Sequence, residues 1–409
     1  MKIRVGVIFG GESVEHEISI ITAIQAMNKM DEEKYEIIPI YITKEREWYT
    51  GEMLRDIDVY QDFNLIKNYS NNVVLYYRNG SYVLQKKKGL FKSVVNEIDI
   101  AFPIVHGTNV EDGVLQGYLQ TIGIPYVGSN VYASVAGQDK AIMKDVWKGA
   151  SLPMTKYIWF YDVDYREDPE TVIKKAEKIK YPLIVKPATT GSSVGISVCE
   201  DEEALKDGIE EAMQYDSKII VEEVVNDLKE VNIAVMGNYD HQKVSEIEEV
   251  LSTNKFLTYS DKYIGGGKGK LKGGVKIPTK ASSKGMASAN RKLPADISKD
   301  MRKEIETIAK EAFKALGSSG NSRIDFLIDT KKNKVYINEI NSIPGSLAFY
   351  LWEAKNIEFT KVLDEMIQIG IKDYKKRTSK THSFETNILA GFASSLGTKG
   401  MKGAKGKLK

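Results

Sequence analysis

The stretch RIDFLIDTKKNKVYINEIN, residues 323–341, contains two alternating runs around the polar turn DTKKNK and predicts a β-hairpin. If the turn is centred on Lys332, Asp325 lies opposite Glu339, and Arg323 lies opposite Asn341. All four side chains then project from one face, because side chains alternate along a strand. Two carboxylates directly across a ladder repel each other. The hairpin therefore needs a partner for these charges.

Two explanations account for the facing carboxylates. A divalent cation between them would remove the repulsion, since Mg²⁺ takes oxygen ligands and usually needs only one or two carboxylates plus substrate phosphates. Asn341 would add a neutral oxygen, and Arg323 would neutralise a transferred phosphoryl group. Alternatively, Arg323 forms a surface salt-bridge cluster with Asp325 and Glu339. The residues of the hairpin alone leave both explanations open.

Composition limits the class of protein. The chain has 409 residues, enough for two or three domains, and 42% of them are hydrophobic. Its 58 basic and 56 acidic residues give a net charge of +2, so no nucleic-acid or membrane partner is indicated. The single cysteine, Cys199, excludes an internal disulfide framework and a cysteine metal cluster. No stretch approaches the roughly 20 apolar residues of a membrane span. We expect a cytoplasmic protein of enzyme size without membrane insertion.

The order of patterns predicts a mixed α/β fold in three parts. Predicted strands Ile3–Phe9, Glu36–Ile42 and Asp99–Val105 alternate with helical patterns such as Ile18–Lys29, as in a parallel sheet. We place the first domain at residues 1–129, a smaller central domain at 130–215 and a third at 216–376. The third part is predicted to open with the strand KIIVEEVV. A tail follows at 377–409, and its basic end is expected to be disordered.

Two glycine-rich loops are candidate anion sites. GGESVE, residues 10–15, follows the first strand, and it is as easily an ordinary strand-to-helix turn as a binding site. In VKPATTGSSVG, residues 185–195, Lys186 closes a strand beside a loop that contains Gly191, Ser192 and Ser193. A lysine, hydroxyls and free amides together can hold a polyphosphate. A hairpin with a solvated loop is the alternative.

A third segment, residues 262–295, is rich in lysine, glycine and serine and contains no acidic residue between Lys262 and Ala295. Composition alone favours a solvated flexible loop. A mobile lid that orders over an anionic ligand is the alternative.

Several motifs in one order resemble a known family. They are GGESVEHEIS, HGTNVEDGVLQGYLQTIGIPYVGSNVYAS, the pair Asp139-Lys140, VKPATTGSSVGI, KEVNIAVMGN, DKY ending at Tyr263, RIDF and NEINSIPG. From residue 3 to about 370 the chain resembles the D-alanine-D-alanine ligases of the ATP-grasp superfamily. That resemblance implies three α/β domains with a parallel-sheet N-terminal domain, and ATP bound between the central and C-terminal domains.

The resemblance also implies roles for residues that hold ATP and metal. Lys140 and Lys186 resemble the lysines on the ATP phosphates. The loop residues Gly191 and Ser193 would close over those phosphates. Nucleotide contacts are implied for Glu222 and Glu223 at adenine and for Glu230 at the ribose. The implied magnesium ligands are Asp325, Glu339 and Asn341, for two Mg²⁺ ions with Mn²⁺ as an alternative. Arg323 would steady the transferred phosphoryl group.

Other residues resemble the substrate site of the family. Glu15 is similar to the carboxylate that holds the ammonium of the first D-alanine, and Ser192 and Tyr263 complete a hydrogen-bonded Glu-Ser-Tyr triad with it. His106 and Gly345 line the pocket. Tyr350 stands where typical members have a small hydroxyl residue for the second substrate's carboxylate. Val110 stands where they have a glycine, so its backbone is expected to avoid a positive φ angle.

The function implied is ATP-dependent joining of two D-alanines through an acyl phosphate, for peptidoglycan precursor synthesis. Under this reading the segment 262–295 is a lid that protects the acyl phosphate from water. Tyr350 motivates a second hypothesis, an ATP-grasp ligase that joins other small amino acids. A third is a nucleotide-binding module without catalysis, which the set Arg323, Asp325, Glu339 and Asn341 argues against. D-alanine and ATP are the expected partners, and a homodimer is one option for the oligomeric state.

Overall fold

The computed structural model describes residues 2–89, 92–191, 194–251 and 291–383. The strands are β1 Ile3–Gly10, β2 Tyr35–Ile42, β3 Trp48–Thr50, β4 Asn71–Arg78, β5 Ser81–Lys86, β6 Val94–Ile98, β7 Ile100–Val105, β8 Tyr157–Tyr161, β9 Leu183–Pro187, β10 Ser197–Cys199, β11 Lys218–Glu223, β12 Leu228–Gly237, β13 Gln242–Val250, β14 Arg291–Lys292, β15 Gly320–Asp329 and β16 Lys334–Asn341. The helices are α1 His16–Met27, α2 Phe63–Tyr69, α3 Val114–Ile122, α4 Val131–Gln138, α5 Lys140–Gly149, α6 Asp162–Glu167, α7 Pro169–Glu177, α8 Glu202–Ala212, α9 Lys299–Ala315, α10 Phe349–Glu353 and α11 Phe359–Thr378. Short 3₁₀ helices lie at Glu52–Arg55, Ile57–Gln61 and Gly345–Ala348.

The first sheet has the order β6-β5-β4-β3-β2-β1-β7. β1 runs parallel to β2 and to β7, which confirms the predicted parallel arrangement of the first part. Strands β3 to β6 add an antiparallel edge, so the sheet is mixed. β1 and β7 are buried along most of their length, as expected for parallel strands covered on both faces. The carboxyl ends of these two neighbours therefore meet at one edge of the sheet.

The second sheet, β10-β9-β11-β8, is antiparallel throughout. Its third member is β11, the strand that was predicted to open the third part of the chain. β11 pairs with both β8 and β9, and this pairing argues against that prediction. The division at residues 1–129, 130–215, 216–376 and 377–409 stays a proposal, and the pairing of β11 argues for moving the second boundary beyond Glu223.

The third sheet has the order β14-β13-β12-β15-β16 and contains the predicted hairpin. Asp325 pairs with Glu339, and Arg323 with Asn341, as predicted. The turn that produces this register is shorter than predicted. Asp329 pairs with Lys334 at the turn, and a bulge after Asp325 then leaves Asn338 without an opposite residue. A shorter turn and one extra residue in β16 together bring the two carboxylates face to face.

The segment that follows β16 packs on the first sheet. Residues such as Leu347, Trp352 and Val362 belong to the same buried cluster as Val7 and Phe102 of the first sheet. The second sheet has its own core, and the third shares one with helices α5 and α9. The chain that follows β16 is therefore held against the edge where β1 and β7 end.

The predicted last helix, near Thr360–Ile369, is longer in the structure and runs from Phe359 to Thr378. Five of its last seven residues are charged, and the last turn carries three cations near the helix C-terminus. No helix in the described ranges is long and apolar enough to cross a membrane.

Two glycines allow the cost of a positive φ angle to be distinguished from the cost of a steric clash. Gly320 and Gly80 have similar φ angles of 83° and 90°, but a Cβ on Gly320 would lie 3.0 Å from Gly128 Cα, whereas Gly80 has nothing within 4 Å. We expect Gly320→Ala to lower the free energy of unfolding by about 2–4 kcal/mol and the control Gly80→Ala by about 1–2 kcal/mol. Urea denaturation measures both. Equal losses would show that the close approach to Gly128 carries no cost.

Candidate active site

Glu15 lies where the first sheet meets the loop that follows β9. It is the residue before α1, at the carboxyl end of β1. A Cβ built on Gly107, just beyond β7, would lie 3.1 Å from Glu15 Oε2, and so would a Cβ built on Gly191. Any larger residue would press on the carboxylate at either position. The structure therefore brings the predicted substrate carboxylate against the predicted phosphate loop.

His106 follows β7 and is buried beside this carboxylate. Burial lowers the pKa of the imidazole, while the charge of Glu15 and a backbone hydrogen bond with Ile343 act in the opposite direction. Nε2 lies 3.3 Å from Thr22 Oγ1. Since the net shift favours the neutral ring, His106 fits the predicted role of a pocket-lining residue.

Glu111 is a functional candidate that the sequence reasoning missed. Its carboxylate accepts hydrogen bonds from Gly107 N at 3.0 Å, Ser342 Oγ at 2.8 Å and Ile343 N at 2.9 Å. Burial is the main cause that raises the pKa of Glu111 to about 7. The position of Glu111 within the motif HGTNVEDG could have identified it from the sequence. This single side chain joins the end of β7 to the chain that follows β16.

The residue before Glu111 behaves as expected. Val110 stands where the family has a glycine, and the positive φ angles of this loop fall on Gly107, at 83°, and on Asn109, at 66°. Val110 is buried, and its side chain fills the space beside Gly11.

The 3₁₀ segment Gly345–Ala348 has an unusual backbone. Ser346, Leu347 and Ala348 have φ angles of 52°, 49° and 47°. Left-handed residues other than glycine cost about 1–3 kcal/mol each and concentrate at functional sites. Ser346 N donates to Thr22 Oγ1 at 3.0 Å, which ties the segment to α1 beside His106. The predicted substrate residue Gly345 thus begins a strained turn next to the pocket.

The predicted phosphate lysines lie on two elements that face each other. Lys140 begins α5, and its Nζ donates to the carbonyl oxygen of Thr190 at 2.8 Å. Lys186 lies on β9. The loop that contains Gly191 leaves this strand, so both lysines stand at its base.

Lys186 forms part of a buried charge cluster. Its Nζ lies 3.1 Å from Glu222 Oε1, and Lys144 Nζ lies 2.8 Å from Glu222 Oε2. Burial alone would raise the pKa of Glu222, but the two ammonium groups lower it to about 2. Sequence reasoning missed Lys144, although it lies one helical turn after Lys140.

The other predicted nucleotide residues lie nearby on the chain. Glu223 ends β11, and its Oε2 lies 3.4 Å from Lys156 N, which donates to it. Glu230 lies on β12, opposite Val250 and Leu327. Their contacts with adenine and ribose stay predictions.

The facing residues of the hairpin form a polar cluster. Arg323 Nε and Nη2 donate to the two oxygens of Asp325 at 2.6 and 2.7 Å, and Asn341 Nδ2 lies 3.3 Å from Asp325 Oδ2. Arg323 is buried, and Glu339 is half-buried directly opposite Asp325. The salt bridge between Arg323 and Asp325, which is part of the second explanation, is therefore present, but it is buried and not at the surface.

The same cluster fits a magnesium site. Among the described residues, no three His, Cys, Asp or Glu side chains group as a metal site. Two carboxylates and an amide oxygen are nevertheless the type of donor set that Mg²⁺ takes beside substrate phosphates. A carboxylate has about four lone-pair sites, so the bond to Arg323 leaves Asp325 able to bind a cation as well.

Tyr350 is buried on α10 and points toward the third sheet. Its hydroxyl donates to Glu248 Oε1 at 3.0 Å, and the Arg291 guanidinium stacks 4.0 Å from the ring centre. Arg291 in turn bonds Glu248 Oε2 at 2.6 Å. A substrate role for Tyr350 stays a prediction, and the bond to Glu248 argues against direct contact of its hydroxyl with a substrate.

Three predicted residues, Ser192, Ser193 and Tyr263, lie outside the described residues, as do residues 262–290 of the predicted lid and residues 384–409 of the tail. The end of the predicted lid is described. Arg291 and Lys292 form β14 on the third sheet, and Ala295 N donates to the carbonyl oxygen of Ile247.

Comparisons with known proteins agree with this geometry. The family model for the D-ala D-ala ligase N-terminus matches residues 4–129, and that for the C-terminus matches 146–291 and 279–368. The D-alanine--D-alanine ligase of Thermosipho melanesiensis is 38% identical over 389 residues, covering 95% of this chain and 98% of the relative. That of Thermosipho africanus is 38% identical over 387 residues, covering 94% and 98%.

Solved structures give the same result. The D-alanine-D-alanine ligase from Coxiella burnetii has a TM-score of 0.75 at 26% identity, covering 97% of this chain and 99% of that one. The VanG D-Ala:D-Ser ligase from Enterococcus faecalis has a TM-score of 0.73 at 29% identity, covering 90% and 100%. A mixed α/β fold with a partly parallel first sheet and two further sheets fits the ATP-grasp class. The chain belongs to the D-alanine-D-alanine ligase family within that class.

The raised pKa of Glu111 predicts a pH-dependent contribution to stability. The folded protein holds this proton more tightly than the unfolded chain, whose carboxyl has an ordinary pKa near 4.5. The stabilisation is therefore complete below pH 4.5 and is lost as the pH rises through about 7. Between pH 4.5 and 8, we expect wild type to lose on the order of 3 kcal/mol relative to Glu111→Gln. Urea denaturation across this range measures the difference.

The exposed Glu304→Gln on α9 is the matched control and should follow the pH dependence of wild type. A difference between wild type and Glu111→Gln that stays constant with pH would contradict the shift.

Proposed function

We propose that this chain is an ATP-dependent ligase that joins two D-alanines into D-alanyl-D-alanine for peptidoglycan precursor synthesis. The close approach of Glu15 to Gly191 is the observation that carries the proposal. It places a carboxylate suited to an amino acid's ammonium group beside a loop suited to phosphates. Family membership along nearly the whole chain supports the same reaction.

The reaction has two steps. A carboxylate oxygen of the first D-alanine attacks the γ-phosphorus of ATP, the bond from that phosphorus to the bridging oxygen breaks, and ADP leaves. The amine of the second D-alanine then attacks the acyl phosphate, a C–N bond forms, and inorganic phosphate leaves while the amine loses a proton. No residue of the protein needs to form a covalent intermediate. Catalysis depends on positioning and on charge neutralisation.

The chain's residues divide these tasks. Glu15 holds the ammonium of the first D-alanine, while neutral His106 and the turn beginning at Gly345 shape the pocket. Lys140 and Lys186 hold the phosphates of ATP. Arg323 steadies the transferred phosphoryl group, since it is buried and fixed by Asp325. Each charged residue in this set has a charge opposite to that of the group it contacts.

Asp325, Glu339 and Asn341 would hold magnesium, with two ions expected and Mn²⁺ as an alternative. Bound there, the metal would neutralise the negative charge of the phosphates. We place the reaction in the cytoplasm, where ATP is available, and the homodimer stays an option.

The direct test is turnover by the purified full-length chain. With ATP, Mg²⁺ and D-alanine, we expect release of phosphate and formation of the dipeptide in equal amounts. Parallel assays replace D-alanine by D-serine, glycine or L-alanine. Turnover only with another amino acid would contradict the proposed substrate. Binding of ATP without turnover on any amino acid would favour a nucleotide-binding module.

The metal assignment predicts a large effect from a small change. Glu339→Gln removes one charge at nearly constant volume, and we expect kcat to fall about 100-fold or more, because a metal ligand is weakened. Urea denaturation should show an intact fold. The exposed Glu304→Gln should keep full activity. A fully active Glu339→Gln enzyme would refute the metal role.

The burial of Tyr350 predicts that its hydroxyl serves the fold rather than the substrate. Tyr350→Phe removes the bond to Glu248, which keeps Arg291 and Asn232 as partners. We expect a loss of about 1 kcal/mol in the free energy of unfolding. The KM for the second D-alanine should change less than about threefold. A tenfold rise in that KM, without a loss of stability, would mean that the hydroxyl binds substrate.

A further inference from the structure

The cluster of Lys144, Glu222 and Lys186 contains two cations and one anion. The side chains of Lys144 and Glu222 are 1% and 2% exposed, and that of Lys186 is 10% exposed. Each carboxylate oxygen faces a different ammonium group, at 2.8 Å for Lys144 and 3.1 Å for Lys186. Thr155 Oγ1 lies 3.1 Å from Glu222 Oε2 and donates to it. Both oxygens of the carboxylate thus have partners, and the group lies away from solvent.

Three elements assemble this cluster. Lys186 on β9 pairs with Ile220 on β11, and Glu222 lies two residues further along, so both side chains share one face of the sheet. Lys144 comes from α5, one turn after Lys140, and these two lysines lie on the same side of the helix. The cluster therefore lies directly behind the predicted phosphate site.

The charges of the cluster do not balance. Two ammonium groups against one carboxylate leave an excess of one positive charge in a buried place, and buried charge without a partner is costly. Burial lowers the pKa of Lys144, while Glu222 and, more weakly, Glu339 act against that effect. An anionic ligand would balance the cluster. Of the two lysines, Lys186 is the more exposed and stands beside the Gly191 loop, so it is the one that can meet such a ligand.

We propose that Lys144 is a positioning residue for the nucleotide: it stays on Glu222 as a permanent counter-ion, so that Lys186 can leave this carboxylate for a phosphate. Without Lys144, Lys186 and Glu222 would form a one-to-one buried ion pair. Phosphate could then bind Lys186 only by leaving Glu222 buried and uncompensated. The inference rests on the proposed ATP-binding role of Lys186, and it adds a residue without direct contact to the substrate.

The first test is Lys144→Met in the full-length chain. Methionine has a similar length and leaves one Lys and one Glu, a neutral pair, so we expect the free energy of unfolding to stay equal or rise. Isothermal titration calorimetry with ATP and Mg²⁺ should show a Kd at least 30-fold above that of wild type. In turnover assays the KM for ATP should rise in parallel, with kcat changed less than about threefold. A residue that only supports the fold would instead lower stability and leave the KM for ATP unchanged.

The matched control is Lys148→Met. Lys148 is exposed one turn further along α5 and has the same charge, but it forms no ion pair with Glu222 within the described part of the chain. We expect its Kd for ATP to stay within threefold of wild type. An equal loss in both variants would attribute the effect to net charge and overturn the proposal.

The second variant is Lys144→Met combined with Glu222→Gln, with inorganic tripolyphosphate and Mg²⁺ as the probe. This probe has no adenine, so it reports the phosphate site alone. The single variant Lys144→Met should bind it at least 30-fold more weakly than wild type. The double variant should recover to within about fivefold of wild type, because no carboxylate then holds Lys186.

Two further results would also overturn the inference: unchanged affinity in Lys144→Met, or no recovery in the double variant. The proposed function is judged separately, on wild type. If wild type bound neither ATP nor tripolyphosphate, both the proposed function and the inference would fail. If wild type turned over normally and Lys144→Met matched it, only the inference would fail.

Discussion

The three hydrogen bonds accepted by the buried Glu111 carboxylate fix the geometry on which the rest of the site depends. Gly107 N belongs to the loop after β7, and Ser342 Oγ and Ile343 N belong to the chain after β16. One side chain therefore locks the first sheet to the end of the third. A hydrogen bond contributes about 0.5–1.5 kcal/mol to stability, and a buried donor left without a partner costs about 1–3 kcal/mol. Glu15 and His106 consequently keep a fixed position relative to the strained turn at Gly345–Ala348.

The two halves of the site have opposite charge. Glu15 acts on the carboxyl of Glu111 and on the neutral ring of His106, and such a set suits the ammonium group of an amino acid. Around Lys140, Lys144 and Lys186 there is an excess of positive charge, which suits phosphates. The Gly191 loop meets Glu15 and is the point where the halves join. The carboxylate of an amino acid bound there would lie between the two halves of the site. Phosphoryl transfer needs the carboxylate and the phosphate close together.

Much of this arrangement could be predicted from sequence, because alternation and loop composition are local signals. The pairs Asp325–Glu339 and Arg323–Asn341 were predicted from a turn centred on Lys332, and they form because a shorter turn is offset by the bulge. The parallel β1 and β7 were predicted from helix–strand alternation. Three features could not be predicted in this way. The pairing of β11 depends on contacts with β8 and β9, which no local pattern records. The bond from Tyr350 to Glu248 joins residues 102 positions apart. In the sequence, nothing distinguishes Lys144 from other helical lysines. Its difference from them is its burial against Glu222, which only the structure shows.

The bulge at Asn338 also bears on how the hairpin can change in evolution. The two carboxylates face each other only if a fixed number of residues separates them along the chain. In this chain, four of those residues form the turn and one forms the bulge. A relative with one more residue in the turn and no bulge would present the same pairs. In alignments of related chains, a one-residue gap near Thr330–Asn333 and a compensating one at Asn338 would thus preserve the site. The length of this turn is therefore a poor guide to whether a distant homologue keeps its carboxylates opposed.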